Sequence, residues 1–355
     1  MRFPFLLRVA QAAVLAAVVA APGKTLREAA DPGGILIGTA VRPSLFSETA
    51  YAETLGREFN LVEPEDAMKW PALRPSAGEF DFREGDEVVR FARAHRMKVR
   101  GHCLVWDHNN PEWLARGRFT SDQLSQLLRE HIFHVMQHYS GQVFAWDVVN
   151  EGFDENGRLK DSPWYNGPGI GLGGKGAAYI EQAFRWAREA DPEALLFYNE
   201  ADAEGMNRKS DAVYAMVKDF KLRGVPIDGV GLQMHVANLD FDEAGVTANI
   251  RRLTALGLQV HITELDVSLP LGANGEAPES DLARQAEIYR AVVHACLENR
   301  GCTAIQTWGF TDKYSWIGWH SGGKRGAALP FDRAYRPKAA YDAVWSELTT
   351  AAARN

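Results

Sequence analysis

Two glutamates close apolar runs in this chain. One ends Trp146-Asp147-Val148-Val149-Asn150-Glu151, and the other lies in Ile262-Thr263-Glu264-Leu265-Asp266. An apolar, β-branched run reads as a buried strand, so each carboxylate is delivered to a sheet rim where a ligand reaches it. Two such strands aim two carboxylates at one point. Paired carboxylates at a fixed gap are the working parts of glycoside hydrolysis. Taken alone, either glutamate fits a helix cap or a solvated loop acid equally well. Together, and with the strand ends described next, they favour chemistry.

The positioning elements follow from periodicity. Apolar strand patterns cover 35–41, 59–65, 99–106, 143–151, 195–201, 229–236, 259–267 and 304–311. Amphipathic helical patterns such as 122–139, 177–190, 211–223 and 282–297 lie between them. Strand–helix alternation predicts a parallel sheet of the α/β class. Eight such units within about 320 residues predict a single closed (β/α)8 TIM barrel, with an open doubly wound sheet as the runner-up. The catalytic domain then spans 30–350. With 46% hydrophobic residues among 355, the chain can fill a core of that size.

Each chemically interesting cluster falls at the C-terminal end of a predicted strand, the face on which barrel active sites sit. Strand two runs into Glu63-Pro64-Glu65-Asp66-Ala67-Met68-Lys69-Trp70, and strand three into His102-Cys103-Leu104-Val105-Trp106-Asp107. Strand five ends in Tyr198-Asn199-Glu200, strand six in Gln233-Met234-His235, and strand eight in Trp308-Gly309-Phe310-Thr311-Asp312. The long loop 268–280 follows the strand bearing Glu264, so it rims the same face.

In this order and spacing the motifs resemble the family 10 glycoside hydrolases, the endo-β-1,4-xylanases. The similarity runs from about Phe59 past Trp316. It implies a retaining enzyme with Glu151 as general acid/base and Glu264 as nucleophile. It implies xylan and xylo-oligosaccharides as the ligands that Glu65, Lys69, His102, Trp106, Asn150, Gln233, His235, Trp308 and Trp316 bind. Asp266 is the supporting residue that would hold the second ring nitrogen of His235 while the first bonds Glu264. Asn150 would bond the 2-hydroxyl of the sugar at the cleavage point, a contact that strengthens in the transition state. Two positions depart from the family pattern. Asp66 stands where asparagine is usual, and a carboxylate accepts but does not donate. It lies three residues before Lys69, within reach of its ammonium. Asp107 stands where histidine is usual. Both departures bear on substrate preference more than on reaction class.

Residues 1–23 read as a secretory signal peptide, with Arg2 and Arg8 before an apolar, alanine-rich stretch and small residues near Ala20 and Ala21. The stretch is too short to span a bilayer, so no membrane association is expected after cleavage, and the protein is expected to be secreted or periplasmic. In an exported chain Cys296 and Cys302 close a small disulfide loop, while Cys103 sits in an apolar run as a buried free thiol. A net charge of −7 without a basic stripe argues against nucleic acid as a partner. No cofactor or metal is expected, and a monomer is.

Two patterns are decoys. Gly169-Ile170-Gly171-Leu172-Gly173-Gly174 matches a G-x-G-x-x-G string, but it follows Trp164-Tyr165 and no strand, as the dinucleotide fingerprint requires. His131, His134 and His138 share a helical face, yet the glutamate of the zinc-protease motif is missing. The rival readings are a retaining β-1,4-glucanase or aryl-glycosidase on the same barrel, a catalytically dead polysaccharide-binding barrel, and a metal-dependent barrel hydrolase. A binding module has no need of both Glu151 and Glu264. A metal-dependent enzyme needs a His/Asp set that the motifs do not supply.

Overall fold

A computed structural model describes residues 25–352 apart from position 168. The stretch 1–23, expected from sequence to be a signal peptide, lies outside the described residues. Eight parallel strands form the centre: β1 Leu36–Val41, β2 Leu61–Pro64, β3 Lys98–Gly101, β4 Ala145–Asn150, β5 Leu195–Glu200, β6 Gly229–Leu232, β7 Gln259–Val267 and β8 Cys302–Thr307. Neighbours in sequence are neighbours in the sheet, and β8 pairs with both β7 and β1. The sheet therefore closes into the expected (β/α)8 barrel, and no open edge remains as in the doubly wound alternative.

Eight longer helices among the described residues alternate with the strands: α1 Thr49–Glu58, α2 Arg83–Ala94, α3 Ser121–His138, α4 Ala178–Ala190, α5 Arg208–Leu222, α6 Glu243–Thr254, α7 Glu279–Leu297 and α8 Ala339–Ala352. Each buries one stripe. In α4 that stripe is Tyr179, Ile180, Ala183, Phe184 and Ala187, the spacing of one helical face. Capping boxes start two of the helices, Thr120 with Gln123 at α3 and Asn207 with Ser210 at α5, each satisfying backbone N–H groups that a helix start leaves free. Among the described residues no helix is long and apolar enough to cross a membrane.

The barrel axis is not an aliphatic core. Glu63 of β2, Arg100 of β3, Asp147 of β4, His261 of β7 and Gln306 of β8 are all buried and touch one another, which strands on different sides of the barrel achieve only by pointing inward. Arg100 pairs through two nitrogens with Asp147, lies 3.7 Å from Glu63, and donates to His261 Nδ1 at 2.7 Å. Burial lowers the basicity of His261, with Arg100 adding to the effect, so the ring accepts Arg100's proton as a neutral imidazole. This charged plug lies beneath the site and fixes its floor.

Cys296, in the last turn of α7, is bridged to Cys302 at the start of β8, with Cα atoms 5.2 Å apart. Cys103 is free and buried. The three helical histidines do not converge. His131 is buried and stacked on Trp70 at 3.9 Å, His134 bonds the Glu130 carbonyl, and His138 bonds Asp86.

Candidate active site

Three consecutive residues at the end of β5 hold the turn that carries Glu151. The N–H of Glu151 donates to the Asn199 carbonyl at 2.9 Å. The N–H of Gly152 donates to the Tyr198 hydroxyl at 2.9 Å, and that of Phe153 to the Glu200 carboxylate at 3.2 Å. Tyr198 in turn donates to Glu200 at 2.5 Å, and Lys209 lies 2.8 Å from its other oxygen. The turn needs this hold, because Glu151 sits in left-handed backbone with φ of 56°, which costs a side-chain-bearing residue about 1–3 kcal/mol. Gly152 permits the approach, since a Cβ there would lie 3.1 Å from the Tyr198 hydroxyl and 3.2 Å from Ile180. Burial lifts the Glu200 carboxyl to about 7 against the opposing pull of Lys209 and Tyr198.

The side chain of Asn199 joins the two glutamates. Its amide donates to Glu264 at 2.8 Å and to Asn150 Oδ1 at 2.9 Å, while its carbonyl oxygen accepts from Thr263. Gln233 donates to Glu151 at 3.0 Å and to Asn150 at 3.2 Å. Asn150 also donates to Glu151 at 3.2 Å. Asn199 was visible in the sequence only as part of a polar strand end, and it is the residue through which β4, β5 and β7 are tied together.

The two carboxylates have different surroundings. Glu264 is buried and lies 3.1 Å from His235 Nε2, while His235 Nδ1 lies 3.0 Å from Asp266. Burial alone would strip His235 of its proton, but Asp266 and Glu264 outweigh it and hold the ring well above the ordinary histidine range. The imidazolium thus donates to both acids, and Trp316 donates its indole N–H to Asp266 at 2.8 Å. Glu264 therefore accepts from His235 on one oxygen and from Asn199 on the other. Glu151 is pulled up by burial, yet Gln233 and Lys160 outweigh that and hold it below the ordinary carboxyl range. Lys160 is 3.4 Å from Glu151, a contact that no local pattern singles out. Asp107, nearby, is pushed up by burial despite His108 and Lys160.

Aromatic rings wall the opening. His102 faces Trp308 at 5.4 Å and Trp106 at 6.4 Å, and His235 faces Trp308 at 6.3 Å and Trp316 at 5.2 Å. Lys69 stands over Trp106 at 5.0 Å and over Trp308 at 5.5 Å. His102 is held from below by Asp147, 3.0 Å from its Nδ1. The expected contact between Lys69 and Asp66 is present at 2.9 Å and, against burial, keeps the ammonium above its ordinary range. Glu65 is gripped by both forks of Arg42 at 2.6 and 2.7 Å, a partner that sequence reading did not identify. All eleven residues expected to bind or react lie on this one rim.

Glu63, His102 and Glu264 offer ligand atoms within 4.8 Å of one another, the one cluster among the described residues with a geometry for a cation. Its negative charge is already answered by Arg100 beneath and His235 beside it. Burial raises Glu63 well above the carboxyl range, which further reduces the charge available to an ion.

The arrangement holds one buried carboxylate between two donors, a second on a strained turn, and aromatic faces around both. It suits attack on a carbon centre assisted by a proton donor. Comparison with known proteins agrees with it. A model of Glycosyl hydrolase family 10 matches residues 25–347. Endo-1,4-beta-xylanase B of Thermotoga neapolitana is 40% identical, over 90% of each chain. The beta-1,4-xylanase of Dictyoglomus thermophilum is 38% identical over 82% of each. Among solved structures, xylanase 10B of Thermotoga maritima superposes with a TM-score of 0.88 at 40% identity, covering 93% of this chain and 100% of that one. Xylanase 10B of Thermotoga petrophila, solved in complex with xylobiose, gives 0.87 at 40% identity over 93% and 98%.

Proposed function

This chain belongs to glycosyl hydrolase family 10, and from that premise we propose that it is a retaining endo-β-1,4-xylanase with Glu264 as nucleophile and Glu151 as acid/base. The observation that carries the assignment is the contrast between the two carboxylates. Glu264 is clamped between the His235 imidazolium and the Asn199 amide, which hold both its oxygens in one orientation. Glu151 is carried on the strained turn at the end of β4.

In the first step Glu264 attacks the anomeric carbon of a xylosyl residue while Glu151 gives its proton to the departing glycosidic oxygen. The C–O bond breaks and a glycosyl ester forms on Glu264. In the second, Glu151 takes a proton from water, the water oxygen attacks the same carbon, and Glu264 leaves as carboxylate. Two inversions give net retention. Asn150, tied to Asn199 and Gln233, presents its amide beside Glu151, where the 2-hydroxyl of the reacting sugar lies. Lys69, Glu65 and His102 offer polar contacts to the glycone, and Trp106, Trp308 and Trp316 offer stacking faces.

Export is part of the same reading. The N-terminal charge and apolar pattern support it, as does the Cys296–Cys302 bridge, which is at home in an oxidising compartment. Sequencing the N-terminus of protein recovered from the native host would decide it, since an intact Met1 would contradict cleavage.

The assignment is tested with Glu264→Ala. Hydrolysis of xylan is abolished, and azide restores turnover of an activated aryl xylobioside by occupying the vacated space. The product is then the α-glycosyl azide, because azide attacks from the nucleophile's face. A β-azide would assign the nucleophile elsewhere.

A further inference from the structure

We propose that Trp319 is an outer stacking platform that receives xylosyl residues of long xylan chains beyond the pocket. The inference rests on the xylanase reading above and extends it to the chain's path over the barrel rim.

Trp319 lies on the short helix Trp316–His320 and is 78% exposed. Among the described residues the exposed large hydrophobic side chains are Met206, Leu222 and Trp319, so it is the one aromatic of the set. Folding does not account for it. Ile317 anchors the helix against Ala328 and Leu329, with Trp316 packed on that cluster, and Trp319 stays outside it. An indole left in water presents a broad apolar face with a polar edge, the surface on which the C–H face of a pyranose stacks.

Its placement connects it to the site. A row of rings runs outward from the nucleophile's partner: His235 to Trp316 at 5.2 Å, Trp316 to His320 at 4.9 Å, and His320 to Trp319 at 6.0 Å. The first two belong to the pocket and the last is at the surface. Beside Trp319 a groove of about 820 Å³ opens between the loops after β7 and β8, lined by Leu271, Glu276, Ser315, Gly318 and Arg325 among others. The rings thus lead from the pocket to a groove large enough for further sugar rings, with Trp319 as its one aromatic lining residue and a border of both acidic and basic side chains, such as Glu276, Asp332 and Arg325, that can hydrogen-bond hydroxyls. A neutral polysaccharide needs that combination, and no charge match.

The test compares substrate lengths. Trp319→Ala, at an exposed position, retains the fold. We expect kcat/KM on xylohexaose and on soluble polymeric xylan to fall about three- to tenfold, the value of one stacking contact. The same ratio on 4-nitrophenyl β-xylobioside stays unchanged, because that substrate ends within the pocket. Trp319→Phe recovers most of the loss. An equal loss on short and long substrates would overturn the proposal by placing the effect in the pocket, and so would unchanged activity on long ones. If instead the unaltered enzyme fails to cleave xylan at all, the xylanase reading itself fails, and the two outcomes are not confused.

Discussion

Asn199 stands 2.8 Å from Glu264, its side-chain amide donating to Oε1. Its backbone carbonyl at the same time accepts the N–H of Glu151. One residue thereby sets the nucleophile's orientation and the height of the acid/base on the rim. Asn199→Ala removes a donor to a charged oxygen and leaves the Thr263 hydroxyl without its acceptor. The loss is about 1.5–3 kcal/mol, on the order of ten- to hundredfold in kcat/KM on xylan. Unchanged kinetics would show that His235 alone controls Glu264.

Lys160 and Gln233 hold Glu151 below the ordinary carboxyl range, although a general acid must carry a proton. Lys160→Met removes the positive charge, so the carboxyl is protonated more readily. The alkaline limb of the kcat/KM profile reports the acid of the free enzyme. It therefore moves to higher pH in Lys160→Met, measured on an aryl xylobioside. A shift to lower pH, or none, would mean that Lys160 does not act on Glu151.

The turn bearing Glu151 hangs from Tyr198 and Glu200. Tyr198→Phe deletes the acceptor of the Gly152 N–H and loosens the aim of the acid. General acid assistance is worth about 10²–10⁴-fold in full, so its partial loss should cost about tenfold where it is needed. Bond cleavage in phenyl β-xylobioside, whose leaving group needs the proton, slows by that amount. The 2,4-dinitrophenyl compound needs no proton, and its pre-steady-state burst keeps its rate. Equal slowing of both would reduce Tyr198 to a general structural role.

Asp66 binds Lys69 at 2.9 Å and so competes with any sugar hydroxyl for that ammonium. Asp66→Asn removes the charge and adds a donor. One neutral hydrogen bond contributes about 0.5–1.5 kcal/mol net, so KM on xylotriose falls several-fold and not hundreds-fold. An equal or higher KM would show that the ion pair orients Lys69 usefully.

Much of this protein follows from local sequence. The β-branched runs with strand-like length, the amphipathic stripe of α4 and the alternation of the two suffice for a parallel barrel, because burial pattern and element length are local properties. Glu151, Glu264, Trp106 and Trp308 are placed for the same reason, each at a predictable strand end, whereas Trp316, on the short helix after β8, is reached only through the family resemblance. The Cys296–Cys302 bridge and the contact of Lys69 with Asp66 are legible too, since they join residues close in the chain. What the fold alone decided is which distant residues meet. Arg42 grips Glu65, Lys160 reaches Glu151, and Asn199 joins Glu264 to Asn150 only once the strands are in register. The plug of Glu63, Arg100, Asp147, His261 and Gln306 is likewise invisible in sequence, where each reads as a polar interruption of an apolar strand. Barrel closure turns those interruptions toward one axis, and only there do their charges find partners that make burial tolerable.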